Sequence, residues 1–254
     1  MHLPPVGLGT MGIDDPTVVE TALDVGYRHL DTAQIYENEQ VVGDGLAASD
    51  VSRDEVPVAT KLWVDDLGAD RVRASTEESL ARLGLDRVDL LYVHRPRDTY
   101  DPATTLPALD DLVSAGLVDN VGLSNFTVDQ LATAREYLDA PIAAHQVERH
   151  PLFHEEALLA DAREHGYPLV AYSPLAGGRV RDFPEVQAVA ERHDTTPEAV
   201  AIAWLVGTDG VVTVPKATSR RHLEANLAAA DLELPDADRA AIESIERVEE
   251  LFPE

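Results

Sequence analysis

The sequence predicts a single closed (β/α)8 (TIM) barrel, one domain over residues 1–254, with an extra C-terminal helix packed outside it. Three observations carry this reading. Strand-like and helix-like segments alternate eight times, no Pro/Gly/Ser-rich linker or low-complexity tract divides the chain, and polar residues suited to chemistry sit where strand-like runs end. That C-terminal rim is where such barrels build their sites. A doubly wound open sheet is the alternative, because alternation alone does not distinguish closure from opening.

In chain order, the first strand-like run is Val6–Gly9, and Asp15-Pro16 caps a helix over Thr17–Val25 with proline at its first position. Tyr27–Asp31 and Val56–Lys61 are the next two strands, followed by helices over Glu39–Ala48 and Ala69–Leu83. Val88–His94 leads to a helix at Thr105–Ala115, Val118–Leu123 to one at Val128–Leu138, and Ile142–Val147 to one at Glu155–Glu164. Leu169–Ser173 and Val211–Pro215 complete the strands, with helices at Glu198–Val206 and Arg220–Ala228. Each helical segment spaces its apolar residues by three and four. Residues 185–193 read as an added helix in the seventh unit, and 236–248 as the final outer helix.

Gly7, Gly9 and Gly12 match the G-x-G-x-x-G dinucleotide pattern, with Asp31 near the distance of a ribose-binding acid. The helix, however, starts at Pro16 rather than at the last glycine, and Asp14 and Asp15 lie where a pyrophosphate needs positive field. The open dinucleotide fold is therefore set aside.

Composition narrows the function classes. There is no cysteine, which excludes disulfides and thiolate metal sites. The net charge of −27 argues against nucleic acid and anionic membrane surfaces as partners. The N-terminus lacks a basic or apolar leader pattern and no apolar run reaches membrane-spanning length, so a cytoplasmic protein is expected. Of twenty basic residues only Lys61 and Lys216 are lysine, leaving eighteen arginines. So acidic and lysine-poor a surface suits a salt-rich, halophilic cytoplasm, where near-molar salt shortens the Debye length to about 3 Å. Lysines retained in such a chain are expected where a compact, tunable ammonium is needed.

Asp31, Tyr36, Lys61 and His94 all fall at or just beyond the ends of consecutive strands. Singly, a strand-end lysine or a core histidine is ordinary. Together they supply a proton donor, a cation expected to lower the donor's pKa, a carboxylate to hold that cation and an imidazole to hydrogen-bond a carbonyl. Those parts suit carbonyl reduction by hydride transfer. Ser124, Asn125 and Gln146 offer amide-gripping groups on the same rim, and Tyr172 a face for a flat ring. No acid occurs from Val211 to Leu223, a segment holding Lys216, Arg220 and Arg221 before a helix start. Loops after strands seven and eight form the usual phosphate site of these barrels. His145, His150 and His154 with Glu148 raise the thought of a metal, but Pro151 interrupts the run and His145 and Gln146 must face opposite sides of a strand, so no metal is expected.

The segments G-L-G-T (7–10), D-T-A-Q-I-Y-E-N-E (31–39), T-K-L-W (60–63), E-S-L-A-R-L-G-L-D-R-V-D-L-L-Y-V-H (78–94), V-G-L-S-N-F (121–126), Q-V-E-R-H-P (146–151), Y-S-P-L (172–175) and P-K (215–216) resemble, in order, the aldo-keto reductase family in its short prokaryotic form, similar to 2,5-diketo-gluconate reductases. The resemblance implies that Asp31, Tyr36, Lys61 and His94 form the catalytic set, with Tyr36 protonating the carbonyl oxygen. It implies a cofactor site of Thr10, Ser124, Asn125, Gln146, Tyr172, Ser173, Leu175, Lys216, Thr218, His222 and Asn226. His222 stands where the family often has an arginine on the 2′-phosphate, and Ala217 where serine is common. NADPH is the expected cofactor, because Lys216 is kept, with NADH possible. Arg95 replaces a common tryptophan and points to an anionic substrate or to a carboxylate partner within the protein. The C-terminal substrate loop reads as curtailed, which implies an open pocket walled by Met11 and Trp63. A small carbonyl substrate follows from the same likeness, and a monomer is expected, although the sequence itself does not name the oligomeric state. A Schiff-base aldolase using Lys61, or a non-catalytic cofactor-binding member, are the competing functions.

Overall fold

The computed structural model describes residues 1–253. Eight strands, β1 (Leu8–Gly9), β2 (Leu30–Asp31), β3 (Val58–Leu62), β4 (Leu90–Val93), β5 (Val121–Ser124), β6 (Ile142–Glu148), β7 (Leu169–Tyr172) and β8 (Val211–Thr213), neighbour one another in chain order, every pair parallel. The ring closes between last and first: Val6 bridges Thr213, the Gly7 N–H donates to the Thr213 carbonyl at 2.8 Å, and the Thr213 N–H to that of Pro5 at 2.9 Å. An open sheet is thereby excluded.

The helices are α1 (Pro16–Val25), α2 (Glu39–Ala48), α3 (Ala69–Leu83), α4 (Pro102–Ser114), α5 (Val128–Tyr137), α6 (Glu156–His165), α7 (Pro184–Arg192), α8 (Pro197–Val206), α9 (Arg220–Ala228) and α10 (Asp236–Glu243). Asp15 caps α1, accepting the Thr17 N–H at 2.9 Å, with Pro16 at the first position. α4 starts earlier than its apolar spacing suggests because Asp101 accepts from Ala103 and Pro102 opens the helix. The strand expected over Tyr27–Asp31 pairs only at its end, since Tyr27 turns away and donates its hydroxyl to the Leu223 carbonyl at 3.2 Å. The last helix, expected to reach 248, stops at Glu243. Asp238 and Ile242 are its buried residues, while Val248 is exposed, so no apolar face continues to support another turn.

Strand alternation divides the side chains between two cores. Outward residues such as Leu62, Leu91, Val93, Leu123, Val147 and Leu169 join the helices in the main core. Inward residues, among them Ala59, Leu90, Tyr92, Ala144, Val170, Val212 and Val214, fill the lumen over Leu3. Gly122 is required there, because a Cβ would lie 2.5 Å from the Tyr92 ring. Two residues further up four of the inward rows the chemistry changes: Ala59 gives way to Lys61, Tyr92 to His94, Ala144 to Gln146 and then Glu148, Val170 to Tyr172. An apolar floor and a polar upper half place the site at the C-terminal rim.

Candidate active site

Asp31 ends β2, Lys61 lies in β3, His94 follows β4, and Tyr36 closes a single 3-10 turn, Gln34–Tyr36, beyond β2. These four converge. Lys61 Nζ, fully buried, donates to Asp31 Oδ1 at 2.5 Å and to the Thr32 carbonyl at 2.8 Å, and stands 5.2 Å from the Tyr36 ring centroid. Gln146 Nε2 donates to the other oxygen, Asp31 Oδ2, at 2.7 Å. The Asp31 carboxylate is thus held on both sides.

Electrostatics follow from that burial. Desolvation works against the charge on Lys61, but Asp31 and Tyr36 outweigh it and its pKa is raised. The ammonium persists at neutral pH. For Tyr36, burial raises the pKa; Lys61 pulls it down by charge and hydrogen bond, yet the net shift is upward. The expectation that Lys61 makes Tyr36 more acidic than an ordinary phenol is corrected: its pull is present, and desolvation exceeds it. His94 is pushed down to about 2, first by burial and then by the charges of Lys61, Arg95 and Arg97, so its ring is neutral. Its ring sits edge-on to Trp63 at 5.0 Å and to Tyr36 at 6.0 Å.

Above the four lies a cavity of about 260 Å3. Thr10, Met11, Trp63, Arg95, Asn125, Gln146, Tyr172, Ser173 and Lys216 line it with Asp31, Tyr36 and His94. A larger hollow, about 770 Å3, lies between α2 and α3, but holds no lumen residue and no strand end beside those of the site. Asn125 is tightly engaged: its Nδ2 donates to the His94 carbonyl at 2.9 Å and to Ser124 Oγ at 3.1 Å, and its Oδ1 accepts from Tyr172 at 2.9 Å. Asn125 and Ser173 hold left-handed backbones, φ 61° and 51°, a costly conformation that clusters at ligand-facing positions. Thr10 spends its hydroxyl on the Asp31 carbonyl at 3.0 Å. The Lys216 ammonium lies over Gly12, where a Cβ, were there one, would stand 3.4 Å from it.

Leu175, Thr218, His222 and Asn226 lie outside the cavity wall. Leu175 packs against the main core. Thr218 and His222 are exposed around the N-terminus of α9, which Ser219 caps, and Asn226 is buried in that helix, near Tyr27. The histidines weighed for a metal do not converge. His145 Nε2 accepts the Phe126 N–H at 3.3 Å, His150 pairs with Glu148, and His154 lies beside Glu156.

Three residues were not legible. Gln34 donates to Ser75 and Ser79 on α3 and accepts the Trp63 N–H at 2.8 Å, tying the Tyr36 turn to the Trp63 loop. Asn38 Nδ2 donates to the Thr10 and Ile13 carbonyls at 2.7 and 2.9 Å. Phe252 lines the cavity and adds to the apolar wall expected of Met11 and Trp63, which line it too. For Gln34 and Asn38 the only signal was a polar residue beside an expected catalytic one; for Phe252 there was none.

The aldo/keto reductase family profile matches residues 5–247. The chain is 37% identical over 252 residues to methylglyoxal reductase DkgB of Escherichia coli O157:H7, covering 97% of this chain and 94% of that one. It is 32% identical to the glycerol 2-dehydrogenase (NADP(+)) of Hypocrea jecorina, over 96% and 88% of the two chains. The crystal structure of MGS-M4, an aldo-keto reductase from a Medee basin deep-sea metagenome library, superposes with a TM-score of 0.94 at 32% identity, covering 100% of this chain and 95% of that one. With the closed barrel and the rim geometry, these likenesses show that the chain belongs to the aldo/keto reductase family and is a nicotinamide-dependent carbonyl oxidoreductase.

Proposed function

We propose that the chain reduces small aldehydes and ketones to alcohols with Tyr36 as the general acid. The observation that carries this is the buried ammonium of Lys61 lodged between the Asp31 carboxylate and the Tyr36 phenol. Tyr36, its pKa raised, stays protonated at neutral pH and holds the proton that the carbonyl oxygen takes up. Lys61 then faces the resulting phenolate and stabilises it, while Asp31 keeps Lys61 charged and in place. His94, a neutral imidazole beside Tyr36 and Trp63, offers an N–H to the same oxygen and orients it. A reduced nicotinamide, when bound, supplies the hydride to the carbonyl carbon.

The residues present fit that cofactor. Ser124, Asn125 and Gln146 supply amide and hydroxyl partners for a carboxamide, and Tyr172 a ring face beside them. Thr10, Ser173 and Leu175 would hold the pyrophosphate, and Lys216 and Thr218, just before α9, with His222 and Asn226 on it, would hold the adenosine part. Lys216 favours NADPH, and parallel titrations with NADPH and NADH test the preference; equal affinities would refute it. Arg95 on the cavity wall favours a carboxylate-bearing carbonyl, tested by whether Arg95→Gln raises KM for a keto acid more than for a neutral aldehyde.

Lys61 does not suit Schiff-base chemistry. Its pKa is raised, whereas a nucleophilic lysine needs it lowered. Tyr36→Phe tests the acid role: reduction is expected to fall on the order of a thousandfold while nicotinamide fluorescence still reports cofactor binding. Undiminished turnover overturns the assignment. No helix among the described residues is long and apolar enough to cross a membrane. We infer a monomeric, cytoplasmic protein adapted to salt, from the −27 charge carried with eighteen arginines and two lysines. Thermal stability that rises with KCl checks the salt adaptation, and a sedimentation mass checks the monomer.

A further inference from the structure

Glu148 stands one inward position above Gln146, opposite Tyr172 in the β6–β7 register, yet its carboxylate serves neither a metal nor the catalytic residues. It is buried and fully engaged. His150, also buried, accepts the Leu152 N–H on Nδ1 at 3.2 Å, so its ring proton sits on Nε2 and is donated to Glu148 Oε1 at 2.9 Å. The remaining bonds come from the segment that follows α10. Leu251 N–H donates to Oε1 at 2.7 Å and Phe252 N–H to Oε2 at 2.9 Å, 103 and 104 residues away in sequence. The Glu249 N–H reaches the Leu152 carbonyl at 2.9 Å, and its side chain pairs with Arg179.

This segment, residues 249–252, has no helix or strand of its own. Two consecutive amides on the two oxygens of one carboxyl group fix both the position and the direction of the segment, because each oxygen takes its own N–H. The consequence is the placement of Phe252. Its ring lies edge-on to Tyr172 at 5.8 Å and closes the cavity wall that Met11, Ile35 and Trp63 also form.

We propose that Glu148, oriented by His150, is a latch that fastens residues 249–252 across the barrel mouth, and that Phe252 held there is a substrate-selecting residue for carbonyls bearing an extended apolar substituent. The proposal rests on the carbonyl-reductase reading and gives the Glu148–His150 pair a positioning role. Substituents that reach beyond the carbonyl meet a wall of Phe252, Trp63 and Ile35, whereas the smallest aldehydes do not extend to it.

Steady-state kinetics with a short and a long straight-chain aldehyde test this. Phe252→Ala is expected to raise KM for the long aldehyde about tenfold, and for the short one much less, with kcat and cofactor affinity little changed. Glu148→Gln is expected to reproduce that pattern, and the double variant to be no worse than Phe252→Ala alone, because both act through one ring. An unchanged KM in either single variant overturns the proposal. So do effects that multiply in the double variant, or an equal loss of cofactor affinity. Should Glu148→Gln not fold, hydrogen exchange on the unaltered protein decides: slow exchange at the Leu251 and Phe252 amides supports the latch and free exchange overturns it. Turnover of the short aldehyde by the unaltered enzyme separates failure of the latch from failure of the reductase reading.

Discussion

The two lysines of this chain mark two regions built on different principles. Lys61 sits in the lumen, fully buried, fixed by β-strand register and by an ion pair with Asp31. Lys216 stands exposed at the corner between β8 and α9, where a loop and a capped helix start gather cations in a chain otherwise crowded with carboxylates. In the lumen each polar group is positioned by the next, so a single change propagates. At the corner the groups stand separately and exposed, and screening sets their worth. Precision belongs to the first region and attraction to the second.

The contrast can be sharpened or broken by experiment. The largest expected effect is acid instability of the interior. His29 and His145 are pushed down to about 4 and His94 to about 2 by burial, from 6.5. The unfolded chain therefore binds more protons below pH 6.5, and stability present above that pH is lost as pH falls towards 4. At pH 5 each histidine contributes a loss of roughly 2 kcal/mol, about 6 kcal/mol together. Urea unfolding from pH 8 to pH 5, in high salt to suppress carboxylate repulsion, measures it; a flat profile contradicts the burial of neutral imidazoles.

Next in size is Lys61→Met. It strands the Asp31 carboxylate without its partner, and a loss of roughly 3–5 kcal/mol in stability is expected alongside loss of reduction. Molar KCl should not restore either. Smallest is Lys216→Gln, for which a roughly tenfold weaker NADPH affinity is expected, about 1.4 kcal/mol, with kcat little changed. That deficit should shrink in molar KCl, where exposed charges are screened. If salt rescues Lys61→Met, or leaves the Lys216→Gln deficit untouched, the division between the two regions is wrong.

The same division explains what was readable in advance. Asp31, Lys61, His94 and Gln146 could be placed because strand alternation and the rim rule need only local pattern. The unit order, the Asp15-Pro16 cap and the opposite facing of His145 and Gln146 follow from equally local chemistry. Gln34 and Asn38 were not recognised because their work lies in bonds to Ser75, Ser79, Trp63, Thr10 and Ile13, on three other loops and helices. The direction of the Tyr36 shift depends on how much water is excluded, which no spacing reports. Phe252 was missed for the plainest reason, that its anchor Glu148 is 104 residues away.

The complete burial of Lys61 has a practical corollary. Amine-directed acylating reagents can reach only one side-chain amine in the native molecule, that of Lys216, apart from the chain's own α-amino group. A dye or tether attached there would report on the corner proposed for the nucleotide without touching the interior. The same geography leaves the enzyme with one lysine open to acetylation or glycation.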